Sequence, residues 1–165
     1  MSLFKTIIMA SMLVLLASCG FQPLYGRATK NAKVTAQLDQ TYILPIDGRI
    51  GQIVRNQLLD MISPKGLPSQ ANYQLIVTLR EQKQGLAIDQ TDSTNRFNLT
   101  IFANYNLRDA SGKAALFTGN AQAVASYNIV NSDFANLAAS KNARKRAAIV
   151  VSEEIYRQLS VFMSR

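Results

Sequence analysis

The stretch Phe97-Asn98-Leu99-Thr100-Ile101-Phe102-Ala103-Asn104-Tyr105-Asn106-Leu107-Arg108 decides the fold. Its odd-numbered residues are apolar, and its even-numbered ones, Phe102 and Arg108 apart, are Asn or Thr. A period of two marks a strand with one apolar face and one mostly amide face. Downstream, Asp109-Ala110-Ser111-Gly112-Lys113 reads as a tight hairpin connection. It leads to a fourth strand over roughly 115–130, where Phe117, Ala121, Ala123, Ala125 and Tyr127 keep the alternation. Upstream, Tyr73, Leu75, Val77 and Leu79 alternate with Gln74, Ile76, Thr78 and Arg80, and a polar link from Gln84 to Asn95 joins this strand to the next. Val34, Ala36 and Leu38 alternate with Thr35, Gln37 and Asp39, which predicts a first strand running on to Ile43 or Leu44 and ended by Pro45.

Strands with one apolar face need a cover, and two segments change period to supply it. Ile50, Ile53, Val54, Leu58 and Met61, with Gln57 as the polar exception, follow helical spacing. They predict a helix over 48–62, with Asp47 as N-cap and Pro64, Gly66 and Pro68 behind it. The second helix spans Asp133 to Met163, capped by Ser132 or Asp133, with Ala148, Val151, Ile155, Leu159 and Phe162 as its apolar stripe. The order β-α-β-β-β-α is that of an α+β two-layer sandwich, a four-stranded, mostly antiparallel sheet covered by two helices. One domain over 34–165 accommodates all of it.

Composition narrows the chemistry. The 165 residues include 18 Lys+Arg, 10 Asp+Glu, one Cys, no His and no Trp, for a net charge of +8. One thiol cannot form an internal disulfide, and a chain without His has no His-based triad or His-ligated metal. Charged residues make up 17%, below the usual share of about 25%. Twelve Asn and twelve Gln fill the gap. Amides suit turns and exposed sheet faces, and they also cost less to enclose in a polar cavity than charges do. The lumen of an outer-membrane barrel is such a cavity.

Residues 1–18 read as an export signal, with Lys5 as the positive region and Ile7 to Ala17 as an apolar run too short for a stable span. Leu16-Ala17-Ser18-Cys19-Gly20 has the form of a lipobox, and the sole Cys falls where acylation needs it. The alternative is an ordinary secretory signal with a chance Cys. On the lipobox reading the mature chain begins at Cys19, and residues 19–33 form a lipidated tether, extended from Arg27 to Lys33. Two or three acyl chains make such an anchor effectively permanent. Gly20, in place of an Asp, favours the outer membrane, with the protein held on the periplasmic side.

No catalytic constellation emerges. The carboxylates sit mostly at turns and helix ends, where capping explains them, and Glu153 and Glu154 point to different helix faces. The glycines form no phosphate loop. The chain is expected not to be an enzyme and to need no cofactor. Lys141, Arg144, Lys145 and Arg146 form a basic cluster on the last helix. It is either a solvated face or a site for an anionic lipid head group, and export argues against nucleic acid. A second basic set, Lys83, Arg96, Arg108 and Lys113, lies near strand ends.

The run Leu16-Ala17-Ser18-Cys19-Gly20-Phe21-Gln22-Pro23-Leu24-Tyr25-Gly26 resembles the N-terminus of the lipopolysaccharide-assembly lipoproteins, LptE, in their alphaproteobacterial form. Ile46-Asp47-Gly48-Arg49, Arg96-Phe97, Ser126-Tyr127-Asn128 and Ala143 to Leu159 extend the resemblance over the mature chain. It implies a plug inside the LptD β-barrel, which inserts lipopolysaccharide into the outer leaflet of the outer membrane. It also implies help in assembling that barrel and binding of lipopolysaccharide, with Arg96 and Lys113 as candidate contacts beside the helix cluster. Arg96 and Lys113 are expected at opposite ends of one strand, too far apart to share a head group. The competing reading is a free-standing scaffold or chaperone lipoprotein that binds lipid or peptide without a barrel.

Overall fold

The computed structural model describes residues 29–86 and 96–165. Their elements are α1 (Thr29–Leu38), β1 (Thr41–Ile43), α2 (Gly48–Ile62), β2 (Tyr73–Leu86), β3 (Arg96–Asp109), β4 (Ala115–Asn128) and α3 (Asp133–Met163). The sheet order is β1-β2-β3-β4. β2, β3 and β4 are antiparallel neighbours, with Leu79 opposite Ala103 and Ala103 opposite Ala121. β1 pairs in parallel with the start of β2, Thr41 opposite Tyr73, so the sheet is mixed. Parallel pairing needs a crossover, and α2 is that crossover.

Alternation sorts the strands as the sequence predicts. Leu75, Val77, Leu99, Ile101, Ala103, Tyr105, Leu107, Ala121, Ala123 and Ala125 are buried under the helices. From α2 come Val54, Leu58 and Ile62, and from α3 come Ala148, Val151, Ile155 and Leu159. Each fully buried aliphatic side chain contributes about 1.5–3 kcal/mol. Two glycines allow close approaches. A Cβ on Gly51 would lie 2.5 Å from the Ile46 carbonyl oxygen, so the chain entering α2 folds tightly over its first turns. A Cβ on Gly119 would lie 2.3 Å from the hydroxyl of Tyr105, its cross-strand partner, so the absent side chain leaves room for the phenol.

The N-terminal strand prediction is corrected. Thr29–Leu38 is helical, and only Thr41–Ile43 pair as a strand. Val34 and Leu38 are four apart as well as in alternation, so one apolar pair serves either period. Ala36 and Gln37 between them, and Lys33 before them, favour the helix. Leu38 is buried and Val34 packs on the core, with α1 lying against α3. The same helix corrects the extended reading of Arg27 to Lys33 from Thr29 onward. The polar link is shorter at its start than predicted, because β2 continues to Leu86, and β4 stops at Asn128. Asp47 occupies the N-cap position of α2 with extended backbone, but its carboxylate makes no cap hydrogen bond. Ser132 does cap α3, its hydroxyl accepting from the Ala135 N–H at 3.4 Å. Among the described residues, no helix is long and apolar enough to cross a membrane.

Candidate functional site: a cationic cleft over an apolar floor

The start of α2, the middle of β2 and β3, and the N-terminal part of α3 enclose a cleft of about 760 Å³. Its floor is apolar, with Ile50, Ile53, Leu79, Ile101 and Ala138. Arg49, Lys141, Arg144 and Lys145 stand around it with Asp47 and Glu81. Helical geometry explains the rim, because Lys141 and Lys145 are one turn apart on one stripe of α3. α2 starts at the cleft, and the first N–H groups of any helix lack intrahelical partners and favour an anion.

The cations of the cleft divide into one engaged group and three available ones. The Arg144 Nε donates to both oxygens of Glu81, at 3.0 and 3.1 Å. Both side chains are less than a third exposed, so this ion pair ties α3 to the sheet. Arg49, Lys141 and Lys145 are exposed and make no side-chain hydrogen bond or ion pair among the described residues. Arg80 adjoins the cleft, but its guanidinium stacks 4.4 Å above the Phe102 ring on the other side of the sheet. Free cations over an apolar floor suit an amphiphile, with an anionic head held by charge-assisted hydrogen bonds and chains on the floor.

Of the predicted residues, the structure brings Lys141, Arg144 and Lys145 together and separates Arg146. The Arg146 guanidinium donates to the Ser126 carbonyl at 2.9 Å and to Asn142, which turns it toward the edge of β4. Arg96 opens β3, opposite Leu86 and Asn128, while Lys113 lies in the turn after that 14-residue strand. About 40 Å of strand separates them at roughly 3.3 Å per residue, and neither lines the cleft. Asp109 shapes the turn, accepting from the Ser111 hydroxyl and from the N–H groups of Lys113 and Ala114. The Ser111 hydroxyl first, and then these backbone donors, hold the Asp109 carboxyl below its ordinary range. Cys19 lies outside the described residues. Arg49 is the residue that sequence reasoning missed as a cleft cation, since nothing in a linear chain pairs position 49 with 141–145.

A second concavity, of about 640 Å³, lies between the edge of β4 and α3. Several of its polar groups bond to one another. The Tyr105 hydroxyl donates to Gln158 at 2.5 Å, and the Gln158 amide donates to Glu154 and to the Asn120 carbonyl. Arg157 completes the set on Glu154. Burial, aided by the nearby Glu154 carboxylate, pushes the Tyr105 phenol up to about 12, with Arg157 opposing. It is a neutral donor at physiological pH. The third concavity, about 290 Å³, is on the open face of the sheet among Ile76, Thr78, Asn104, Asn106, Thr118 and Asn120. By strand alternation this face carries no carboxylate among the described residues. Asn106 and Asn98 accept from Thr118 and Ser126 across β3 and β4.

Residues 31–160 match the family model described as LptE, lipopolysaccharide-assembly. No curated protein sequence is a significant match. Among solved structures, a lipoprotein from Caulobacter crescentus is 24% identical with a TM-score of 0.66, the match covering 81% of this chain and 97% of that one. The minor lipoprotein from Acinetobacter baumannii is 14% identical with a TM-score of 0.54, over 75% of this chain and 94% of that one. The rare lipoprotein B from Shewanella oneidensis is 12% identical with a TM-score of 0.54, over 73% and 95%. At these identities the likeness is one of fold.

Proposed function

Because the chain belongs to the LptE family of lipopolysaccharide-assembly lipoproteins, we propose that it works in the outer membrane as the plug of an LptD-like β-barrel, assisting that barrel's assembly and the insertion of lipopolysaccharide into the outer leaflet. Cleavage after residue 18 leaves Cys19 to be acylated, and the lipid holds the domain on the periplasmic side. The observation that carries the reading is the cleft, where Arg49, Lys141 and Lys145, without a partner among the described residues, stand above Ile50, Ile53, Leu79 and Ile101. Lipopolysaccharide has the matching halves, with phosphates for the cations and acyl chains for the floor. Arg144 holds the cleft together through Glu81, and Arg96 and Lys113 have no part in it. The work is binding and positioning, which requires no bond-making residue.

The open face of the sheet, amide-rich and without a carboxylate among the described residues, supports the barrel partner. Asn, Gln, Thr and Ser side chains can exchange water for the polar wall of a lumen at less desolvation cost than charges. The test is purification of a C-terminally tagged copy from outer membranes in mild detergent. The plug reading predicts one large β-barrel in stable complex, and lower levels of assembled barrel when the protein is depleted. A chain that comes out alone, with barrel levels unchanged on depletion, identifies a free-standing scaffold.

A further inference from the structure

The first two turns of α3 are unlike the rest of the helix. Buried positions on α3 begin only at Ser140. Before it, Phe134 is 83% exposed and Leu137 52%, and Val130 just ahead of the helix is 53% exposed. The Asn136 side chain accepts from the Val130 N–H and donates to the Val130 carbonyl, both at 2.9 Å, which fixes Val130 against this turn. Exposed aliphatic and aromatic groups clustered in this way mark a contact surface more often than chance.

Helical spacing says which stripe they belong to. At 100° per residue, Phe134, Leu137, Ala138, Lys141 and Lys145 lie along one side of α3, which continues into Ala148 and Ser152. Ser152 packs on α2, its hydroxyl 3.4 Å from the Val54 carbonyl. α2 begins at Gly48, at the cleft, so among the described residues no helix lies over the stripe toward the start of α3. From Lys145 back to Phe134 that uncovered length is about 16 Å. Along it the order is apolar first and cationic next, and Ala138 joins the apolar part to the cleft floor. From Val130 to Arg146 the one carboxylate is Asp133. An apolar run that ends in unpaired cations is complementary to the chains and charged head of an anionic amphiphile. A protein partner would need carboxylates set beside an apolar patch in the same register.

We propose that Phe134, Leu137 and Ala138 seat the acyl chains of a phosphorylated glycolipid whose head group is held by Arg49, Lys141 and Lys145. This rests on the lipopolysaccharide reading of the cleft and adds where the chains go and which way the molecule enters. The chains leave the cleft along α3 toward its N-terminus.

The test uses the full-length protein in living cells. A photoreactive p-benzoyl-phenylalanine replaces, in separate strains, Phe134, Lys145 or Val124, the last on the open face of the sheet. After irradiation, mass spectrometry locates the adduct on the lipopolysaccharide. The proposal predicts adducts on an acyl chain from position 134, on the phosphorylated disaccharide from position 145, and none from 124. In parallel, Phe134→Ser with Leu137→Ser should lower the lipopolysaccharide bound to the purified complex tenfold or more, with Leu67→Ser, in the loop after α2, unchanged. A position-134 adduct on a protein, or none there while position 145 labels the glycolipid, overturns the acyl seat and leaves the cleft reading standing. No glycolipid adduct from either 134 or 145 overturns both.

Discussion

The two ends of α3 belong to one continuous helix with opposite surroundings. In the C-terminal half, Val151, Ile155 and Leu159 are fully buried, and the Phe162 ring stacks on Phe117 with centroids 4.8 Å apart. Glu154 there is shared by Arg157 and Gln158. In the N-terminal half Phe134 and Leu137 face water and Lys141 and Lys145 have no partner among the described residues. The difference follows from length, since α3 has 31 residues and the α2 beside it has 15. Where α2 and the sheet cover α3, its stripe makes the core. Where they do not, the same kind of stripe is left uncovered by any described element. On the proposed function, stability and binding are thus separated along one element.

The sharpest break of this comparison is a matched pair of truncations. Ile155→Ala should cost about 2–5 kcal/mol, read as a lower urea midpoint, because it empties a packed site. Leu137→Ala should shift stability by less than about 0.5 kcal/mol, because its side chain has little to lose. Equal losses would mean that the exposed half is held by contacts within the domain. Next in size is Gly119→Ala, which drives a methyl into the Tyr105 phenol and should cost about 1–3 kcal/mol. The expected mark is loss of the Tyr105–Gln158 hydrogen bond, seen as a downfield shift lost from the tyrosine hydroxyl or its ring carbons by NMR.

Much of this was legible in the sequence. The bounds 48–62 and 133–163 coincide with α2 and α3, because each is a long run of one period between Gly/Pro or Ser/Asp signals. The strand over 97–108 lies inside β3 for the same reason. α1 was not legible, because Val34 and Leu38 satisfy two periods at once. Lys145 and Arg146 are neighbours in sequence, but the 100° step between them sends one to the cleft and the other to the β4 edge. The cleft itself arises from Arg49, Leu79, Ile101 and Lys141 meeting across four elements, which no local pattern encodes.

The smallest effect belongs to the hairpin beside the packed half. The Asp109 carboxyl is held below its ordinary range in the fold, so what its hydrogen bonds contribute is present above the unfolded value of about 3.9 and is lost as pH falls through the lower folded value. The amide protons of Lys113 and Ala114 should therefore titrate in NMR spectra with a midpoint below about 3.9. A midpoint at or above that value would show that the turn does not favour the carboxylate.

The central claim is that the uncovered half of α3 and the start of α2 hold an anionic glycolipid. Its most direct measurement is lipopolysaccharide binding by the purified barrel complex carrying Arg49→Ala, Lys141→Ala and Lys145→Ala together, set beside Arg96→Ala and Lys113→Ala. One charge-assisted contact contributes about 1.5–3 kcal/mol, so the triple variant should bind at least tenfold less lipopolysaccharide, with urea stability within about 1 kcal/mol of the parent. Arg96→Ala and Lys113→Ala should bind as the parent does. Undiminished binding by the triple variant, or a loss as large from Arg96→Ala or Lys113→Ala, would contradict the account.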